Sequence, residues 1–548
     1  MSRCLLAAAV AAIVTAPAPT LAAPGPGVGN RPCATGEMFA PIVVFGHANG
    51  TPDDSPGKDY GHNVVIMADG YLMLLFAPDS GGPSGGLLFY DIADPRHPRL
   101  VKTIRNADTE RFRETHSLPV ARVGDRYLVA VQTVVGIQLW DITDAMTAHK
   151  VGELTLEGVD AGDYTNVAWQ LSWQFPYLFV AGAGHGFHVV DTRDPAAPRL
   201  VTRVPTSQSG GFRIGPIFAL GDYLVVANMD QDGRYALLDI ADAAHPALLD
   251  TLTGLPKIYS ASVVGDRIYG AGRDGDLLIH RFGPDGLHEV HRAAIPGDGL
   301  YLSYQDGYLH YGLTASYMKV DVRDEQHPTV VGEGVLGGEH KDHGQTTPLG
   351  NLVFIGNDHG TGSALFCHQP DPDETPPSVV KVFPPDGTLH QPRTSRIAIS
   401  FSDNIDIHTV SPETVVVRAV GGDVVAGGYS YVFNTVSFGP REPLAPDTSY
   451  QIVLRAGGVA DAAGNRLTEE QVTRFSTGDA IEEPPPDAGP DAPEPPPPDD
   501  AAVPGDGGPG FDDHEIAASC NCHTAGGGEP AALALVTALV VGRRRPRR

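Results

Sequence analysis

The phrase DIADPRHPRLV begins at Asp91 and returns as DITDAMTAHKV from Asp141, DTRDPAAPRLV from Asp191, DIADAAHPALL from Asp239 and DVRDEQHPTVV from Asp321. Successive first aspartates stand 50, 50, 48 and 82 residues apart, the last interval being two steps of 41 around a degenerate copy. Self-similarity at a period of this length marks a repeat architecture.

Outward from Asp91, one period reads GHNVVIMADG, YLMLLFA, a Gly-rich turn, GLLFYDIADP and RLVKTI. Four short β-rich runs with polar or glycine punctuation predict a four-stranded antiparallel meander. No helical periodicity runs through residues 40–370, and this period is the size of a propeller blade. Aligning first-strand starts at His62, His116, Asn166, Arg213, Tyr259, Tyr301 and His343 counts seven blades, with six or eight as the margin. The expected fold is therefore all-β, a seven-bladed β-propeller over residues 33–372.

The seventh unit lacks an outer strand, because LVFIGN and ALFCHQP run directly into PDPDETPP. Ala40-Pro41-Ile42-Val43-Val44 matches the outer-strand phrase APRLV, so the N-terminal segment is expected to complete the last blade and remove an exposed edge. Cys33 precedes that strand and Cys367 sits on its expected neighbour. A Cys33–Cys367 disulfide would close a loop of over 300 residues, for which chain entropy predicts roughly 4–5 kcal/mol before strain. The repeat aspartates have a structural reading as Asx-type turns leading into the outer strand.

The recurring apolar–apolar–Asp centre of these phrases resembles the LVIVD repeat of bacterial secreted β-propellers. The resemblance spans roughly residues 38–370 and implies a fold, since no single enzymatic function belongs to that repeat.

Beyond Pro376-Pro377 the composition changes. Residues 376–478 alternate strands such as RIAISFSDNID and SYQIVLRAG with turn signals, which fits a β-sandwich. The phrases ISFSDNID and PLAPDTSYQIVLRAGGVADAAGN resemble the bacterial Ig-like module of cell-surface proteins, which implies a spacer or adhesion unit, with spacer as the default. Residues 479–515 hold eleven Pro, twelve acidic residues and no Lys or Arg, the composition of an extended, self-repelling stalk.

The two ends read as targeting segments. Arg3, the apolar run Leu5 to Val14 and Thr20-Leu21-Ala22 make residues 1–22 a signal peptide, so the protein is expected to be exported. At 516–548, ASCNCHTAGGGEP, an apolar run and terminal arginines resemble the MYXO-CTERM sorting tail. That resemblance implies that Cys520 or Cys522 becomes the anchor at the cell surface or outer membrane. The run Ala531 to Val541 is eleven residues against the roughly 20 of a spanning helix, which suits a signal cleaved during sorting. A small metal or redox pair with His523 is the other reading of these cysteines.

The formal net charge of −28 argues against nucleic acid or an anionic membrane surface as partner, leaving membrane association to the C-terminal tail. There is no Gly-x-Ser-x-Gly elbow, phosphate loop or His-Glu-x-x-His. His62, His116 and His343 fall on first-strand starts of blades 1, 2 and 7, neighbours around a closed ring. Three imidazoles at one channel mouth could hold a divalent metal such as zinc, with Glu114, His340 and Asp342 to orient them; the bland alternative is a polar channel lining. Asn228-Met229-Asp230-Gln231-Asp232-Gly233, with Asp239 at the twelfth position, has the pattern of a calcium loop, but this stretch is where a hairpin turn is needed. His97, His245 and His327 read as turn residues. The expected function is a displayed, monomeric binding or scaffolding module with a protein or glycan ligand. The competing expectations are a metal-dependent, hydrolase-type enzyme and a structural surface-layer component.

Overall fold

The structure, a computed structural model, describes residues 25–45, 63–77, 85–160, 162–229, 232–273, 275–313, 316–335, 343–357 and 363–478. The signal, stalk and sorting-tail segments, with Cys520 and Cys522, lie outside these residues, as do His62, His340 and Asp342.

Each repeat phrase folds as two consecutive Asx turns. The first aspartate accepts the backbone N–H two residues on: Asp91 from Ala93 at 3.1 Å, Asp141 from Thr143 at 2.9 Å, Asp191 from Arg193 at 2.9 Å, Asp239 from Ala241 at 2.8 Å and Asp321 from Arg323 at 3.0 Å. The second aspartate does the same, as Asp144 with Met146 at 2.8 Å and Asp194 with Ala196 at 3.0 Å. His97, His245 and His327 each bring Nδ1 within 3.1, 2.7 and 3.0 Å of that second aspartate, which makes them turn residues as expected. A short acceptor side chain replaces the ladder partner that the backbone loses at the corner, so the chain turns without an orphan donor.

Between these corners the described residues are all-β with no α-helix, and no helix is long and apolar enough to cross a membrane. Seven four-stranded antiparallel meanders follow one another. The first comprises Val64–Ala68, Tyr71–Phe76, Gly86–Asp91 and Arg99–Ile104. The seventh comprises His343–Leu349, Leu352–Asn357 and Ser363–Cys367, and its fourth strand is Pro41–Phe45 from the N-terminal segment. Pro41 pairs with Phe366 and Phe45 with Ser363, antiparallel. The Cys33–Cys367 disulfide forms beside this pairing, with its Cα atoms 6.2 Å apart. The middle strands are buried on both faces, as at Leu72–Phe76 and Leu178–Ala181, because each sheet is sandwiched between its neighbours.

Residues 379–477 form the Ig-like domain. One of its sheets orders Val379–Phe383, Ile397–Phe401, Thr435–Pro440 and Gly427–Val432; the other orders Thr388–Gln391, Gln471–Thr477, Ser449–Leu454 and Val415–Ala419.

The expectation of a separate Ig-like spacer needs correction. Gly427–Val432 pairs antiparallel with Val120–Val123, the first strand of the second meander, so the two domains share one eight-stranded sheet. Val64, Val120 and Trp140 of the meanders lie in one buried cluster with Ile399, Val436 and Phe438 of the Ig-like domain. The first hairpin of every meander meets the same domain. Asp69 N–H donates to His408 Nε2 at 3.2 Å, Arg122 to the Val410 carbonyl at 2.7 Å, and Phe175 N–H to Ser430 Oγ at 3.0 Å. Ser395 donates to Asp222 at 2.6 Å, Lys381 pairs with Asp266 at 2.5 Å, Asp306 N–H donates to the Ser402 carbonyl at 2.7 Å, and Asn404 to the Pro348 carbonyl at 2.8 Å. Fully buried Arg396 reaches from the Ig-like domain to Gln174 Oε1 at 3.0 Å and to the Ile240 carbonyl. The physical reason is visible in Ile397–Phe401: all five residues are buried, one face in the sandwich and the other against the meanders. A free-standing spacer would leave one face wet.

Candidate functional site

Asn228, at the end of the strand Tyr223–Asn228, accepts the Arg234 N–H at 2.8 Å and donates to the Asp232 carbonyl. Asp239 is occupied by its own Asx turn. The segment from Asn228 to Gly233 is thus a hairpin connection; Asp230 and Gln231 lie outside the described residues.

His116 sits just ahead of the strand Val120–Val123, and with it Arg113 and Glu114, all three almost fully buried. His116 Nδ1 lies 2.6 Å from the Trp169 carbonyl oxygen, which requires Nδ1 to carry a proton and donate. Nε2 lies 3.1 Å from Glu114 Oε1, and Glu114 Oε2 lies 3.5 Å from Arg113 Nη2. Both nitrogens of His116 therefore lie beside oxygen atoms, one of the Trp169 carbonyl and one of Glu114. Gln132 braces the same corner by donating to the Ala168 and Trp169 carbonyls at 2.7 and 2.6 Å, and accepts from Thr115 at 2.7 Å.

A run of rings extends from this point. The His116 ring stacks on Trp169 at 4.2 Å and on Tyr301 at 5.7 Å; Tyr301 meets Tyr259 edge-on at 5.2 Å, and the Arg273 guanidinium stands 4.9 Å over Tyr259. Arg273 pairs in turn with Asp298 at 3.3 Å. Four different meanders contribute to this group. Tyr259 and Tyr301 occupy the same aligned start position as His116, so the position is legible in the repeat, although an aromatic ring there carries no metal-ligand signal. Trp169 had no such signal.

Of the three sequence-predicted metal ligands, only His116 has a described side chain. His343 opens the strand His343–Leu349, and its side chain, like His62 altogether, lies outside the description. Two residues on, Gln345 donates to the His116 carbonyl at 3.1 Å, which brings the start of this strand beside His116.

From His116 a cavity of about 100 Å³ runs past Ser262, Ser303 and Thr346 to Asn404 and Phe433 of the Ig-like domain. That is room for a handful of waters and well short of the several hundred Å³ of a small-molecule pocket.

The fold and this group of rings define a β-repeat protein of stacked four-stranded sheets closed at one end by an Ig-like domain. The chain carries an LVIVD repeat at residues 162–206, which covers the third meander, and a bacterial Ig-like domain at residues 373–477. No curated protein matches the chain. Among solved structures, the computationally designed Ika8 protein is similar at 9% identity and a TM-score of 0.41, over 60% of this chain and 99% of that one. A likeness at that level carries no argument about function.

Proposed function

We propose that the seven meanders are the blades of one closed propeller and that the protein is an exported, surface-tethered binding module. Support for the ring comes from the first strands, which pack in sequence from the third meander to the seventh, from Arg126–Thr133 of the second meander, which packs on Leu171–Gln174 of the third, and from the first meander's strand Val64–Ala68, which packs on His343–Leu349. The first and second meanders share a buried cluster, which supports closure.

One observation carries the binding reading. The Ig-like domain covers the first hairpin of all seven meanders, and the opposite end of the ring bears half-buried Tyr259 and Arg273, backed by the buried rings of Trp169 and Tyr301. Aromatic rings beside cations suit a protein or glycan ligand, giving broad contact at low entropic cost. The Ig-like domain then acts as a cap on the module. Stalk and sorting tail remain proposals from sequence.

The test is a glycan array and an envelope-protein panel probed with the full chain and with Tyr259→Ala/Arg273→Ala. Binding that the double variant loses and that Leu249→Ser keeps supports the mouth, Leu249 being an exposed site on the outer strand Ala247–Leu255 of the fourth meander. Binding unchanged in both places the ligand elsewhere.

A metal-dependent, hydrolase-type site at the same mouth is the second reading, favoured by the Gln345–His116 bond that draws the His343 strand alongside His116. It requires Glu114 to yield its place at Nε2. Metal content of the full chain beside His116→Ala separates the two: one metal per chain, lost in the variant, favours the enzyme.

A further inference from the structure

Away from the channel mouth, three carboxylates meet where the linker, the Ig-like domain and the last two meanders join. Asp373 lies in the linker after Ser363–Cys367, Asp403 follows Ile397–Phe401, and Asp461 lies in the Asp461-Ala462-Ala463-Gly464-Asn465 turn. Each offers one oxygen within 4.8 Å of the other two, and all three residues are at most 2% exposed.

The surroundings position these groups rather than neutralise them. Asp461 accepts from Asn465 N–H at 2.9 Å and from its side-chain amide at 3.1 Å. Asp403 accepts from Asn404 N–H at 2.6 Å and from Gln305 at 3.0 Å, the latter from the sixth meander. Asp373 Oδ1 accepts from Thr375 N–H at 3.0 Å, while its buried Oδ2 has no hydrogen-bond partner. Lys319 acts on Asp373 through space, but its Nζ is committed to His368 Nδ1 at 3.0 Å. Burial holds all three above the usual carboxyl range, Asp461 at about 6, and neighbouring carboxylates reinforce it for Asp403 and Asp461. Three buried acids with an orphaned oxygen and only neutral donors call for a cation.

We propose that Asp373, Asp403 and Asp461 bind one calcium ion that locks the linker and the Ig-like domain onto the end of the propeller. The donor set is all oxygen, the choice of a hard cation, and oxygens sharing one calcium at about 2.3–2.6 Å fall within the observed spacing. The linker is also tied to the N-terminal segment, since Asn30 donates to the Asp373 carbonyl at 2.6 Å and accepts its N–H at 2.8 Å. The ion would therefore fasten the segments that close the ring as well as the cap.

The experiment is isothermal titration of CaCl₂ into chelator-stripped full chain, beside thermal unfolding with and without calcium, for wild type and Asp403→Asn. Expected are one site in wild type, at least tenfold weaker binding at that site in the variant, and a calcium-dependent rise in Tm that the variant loses. Without calcium the variant should melt higher than wild type, because it removes one of three repelling charges. A wild-type isotherm without a site overturns the proposal, as does a site that Asp403→Asn leaves unchanged. If that variant does not fold, Asp461→Asn takes its place, and the wild-type isotherm decides in either case.

Discussion

Ser430 of the Ig-like domain stands in register with Ala121 of the second meander, and its hydroxyl accepts the Phe175 N–H of the third at 3.0 Å. A single residue thus sits in a shared ladder and also fastens the next meander. A domain joined through backbone hydrogen bonds and a common core unfolds with its neighbour, whereas a flexible spacer unfolds alone.

Ser430→Pro removes both contacts, since proline has neither the hydroxyl nor the ladder N–H. The expected cost is about 3 kcal/mol, and the single calorimetric transition should split into two. A single transition at the wild-type temperature would show that the shared strand contributes little.

Replacing Cys33 and Cys367 by serine frees a loop whose ends are 334 residues apart. Denaturant unfolding should register a loss of roughly 4–5 kcal/mol, matched by wild type under reducing conditions. The N-terminal strand Pro41–Phe45 should then be the first region to exchange its amide hydrogens, because it is held to the rest of the seventh meander by one strand pairing.

Asp191 is buried, accepts the Arg193 N–H and pairs with Arg193 and Arg199 at 2.8 and 3.0 Å. Asp191→Ala should cost about 1–2 kcal/mol, while Asp191→Asn, which keeps the turn acceptor, should recover most of it. Equal losses would assign the effect to the ion pairs instead of the turn.

The response to acid depends on calcium. Burial holds His188 and His280 down at about 4, so the unfolded chain binds more protons and stability falls as pH drops from 6.5 towards 4. Burial raises Asp306 and Asp461 to about 6, so there the folded chain binds more protons, and stability is gained as pH falls through 6 towards 3.8. The two contributions oppose each other without calcium. With calcium bound, Asp461 stays ionised and the ion must leave on acidification, so chemical denaturation from pH 7 to 4.5 should show a steeper loss. Parallel curves with and without calcium would count against this coupling.

The sequence by itself determined what is local and periodic. An aspartate two residues before the N–H it accepts, a strand of alternating or continuous apolar residues and a recurrence of about 40–50 residues are all short-range physics. Seven meanders, paired Asx corners and a borrowed N-terminal strand could therefore be read from the chain. The Cys33–Cys367 pairing followed from that borrowed strand. What only the tertiary structure decided is which surfaces meet. Ile397–Phe401 is apolar at four of its five positions, a pattern that fits a buried strand of any kind, and only packing reveals that its second face lies on the meanders. Asp373, Asp403 and Asp461 are up to 88 residues apart, each in an ordinary turn context, and they converge because the cap docks. His116 likewise read as a ligand from its repeat position, whereas its neighbours Glu114 and Trp169 engage both of its nitrogens. Spacing along the chain carries secondary structure and repeat; contact between distant surfaces is settled by burial and complementarity, which no local pattern encodes.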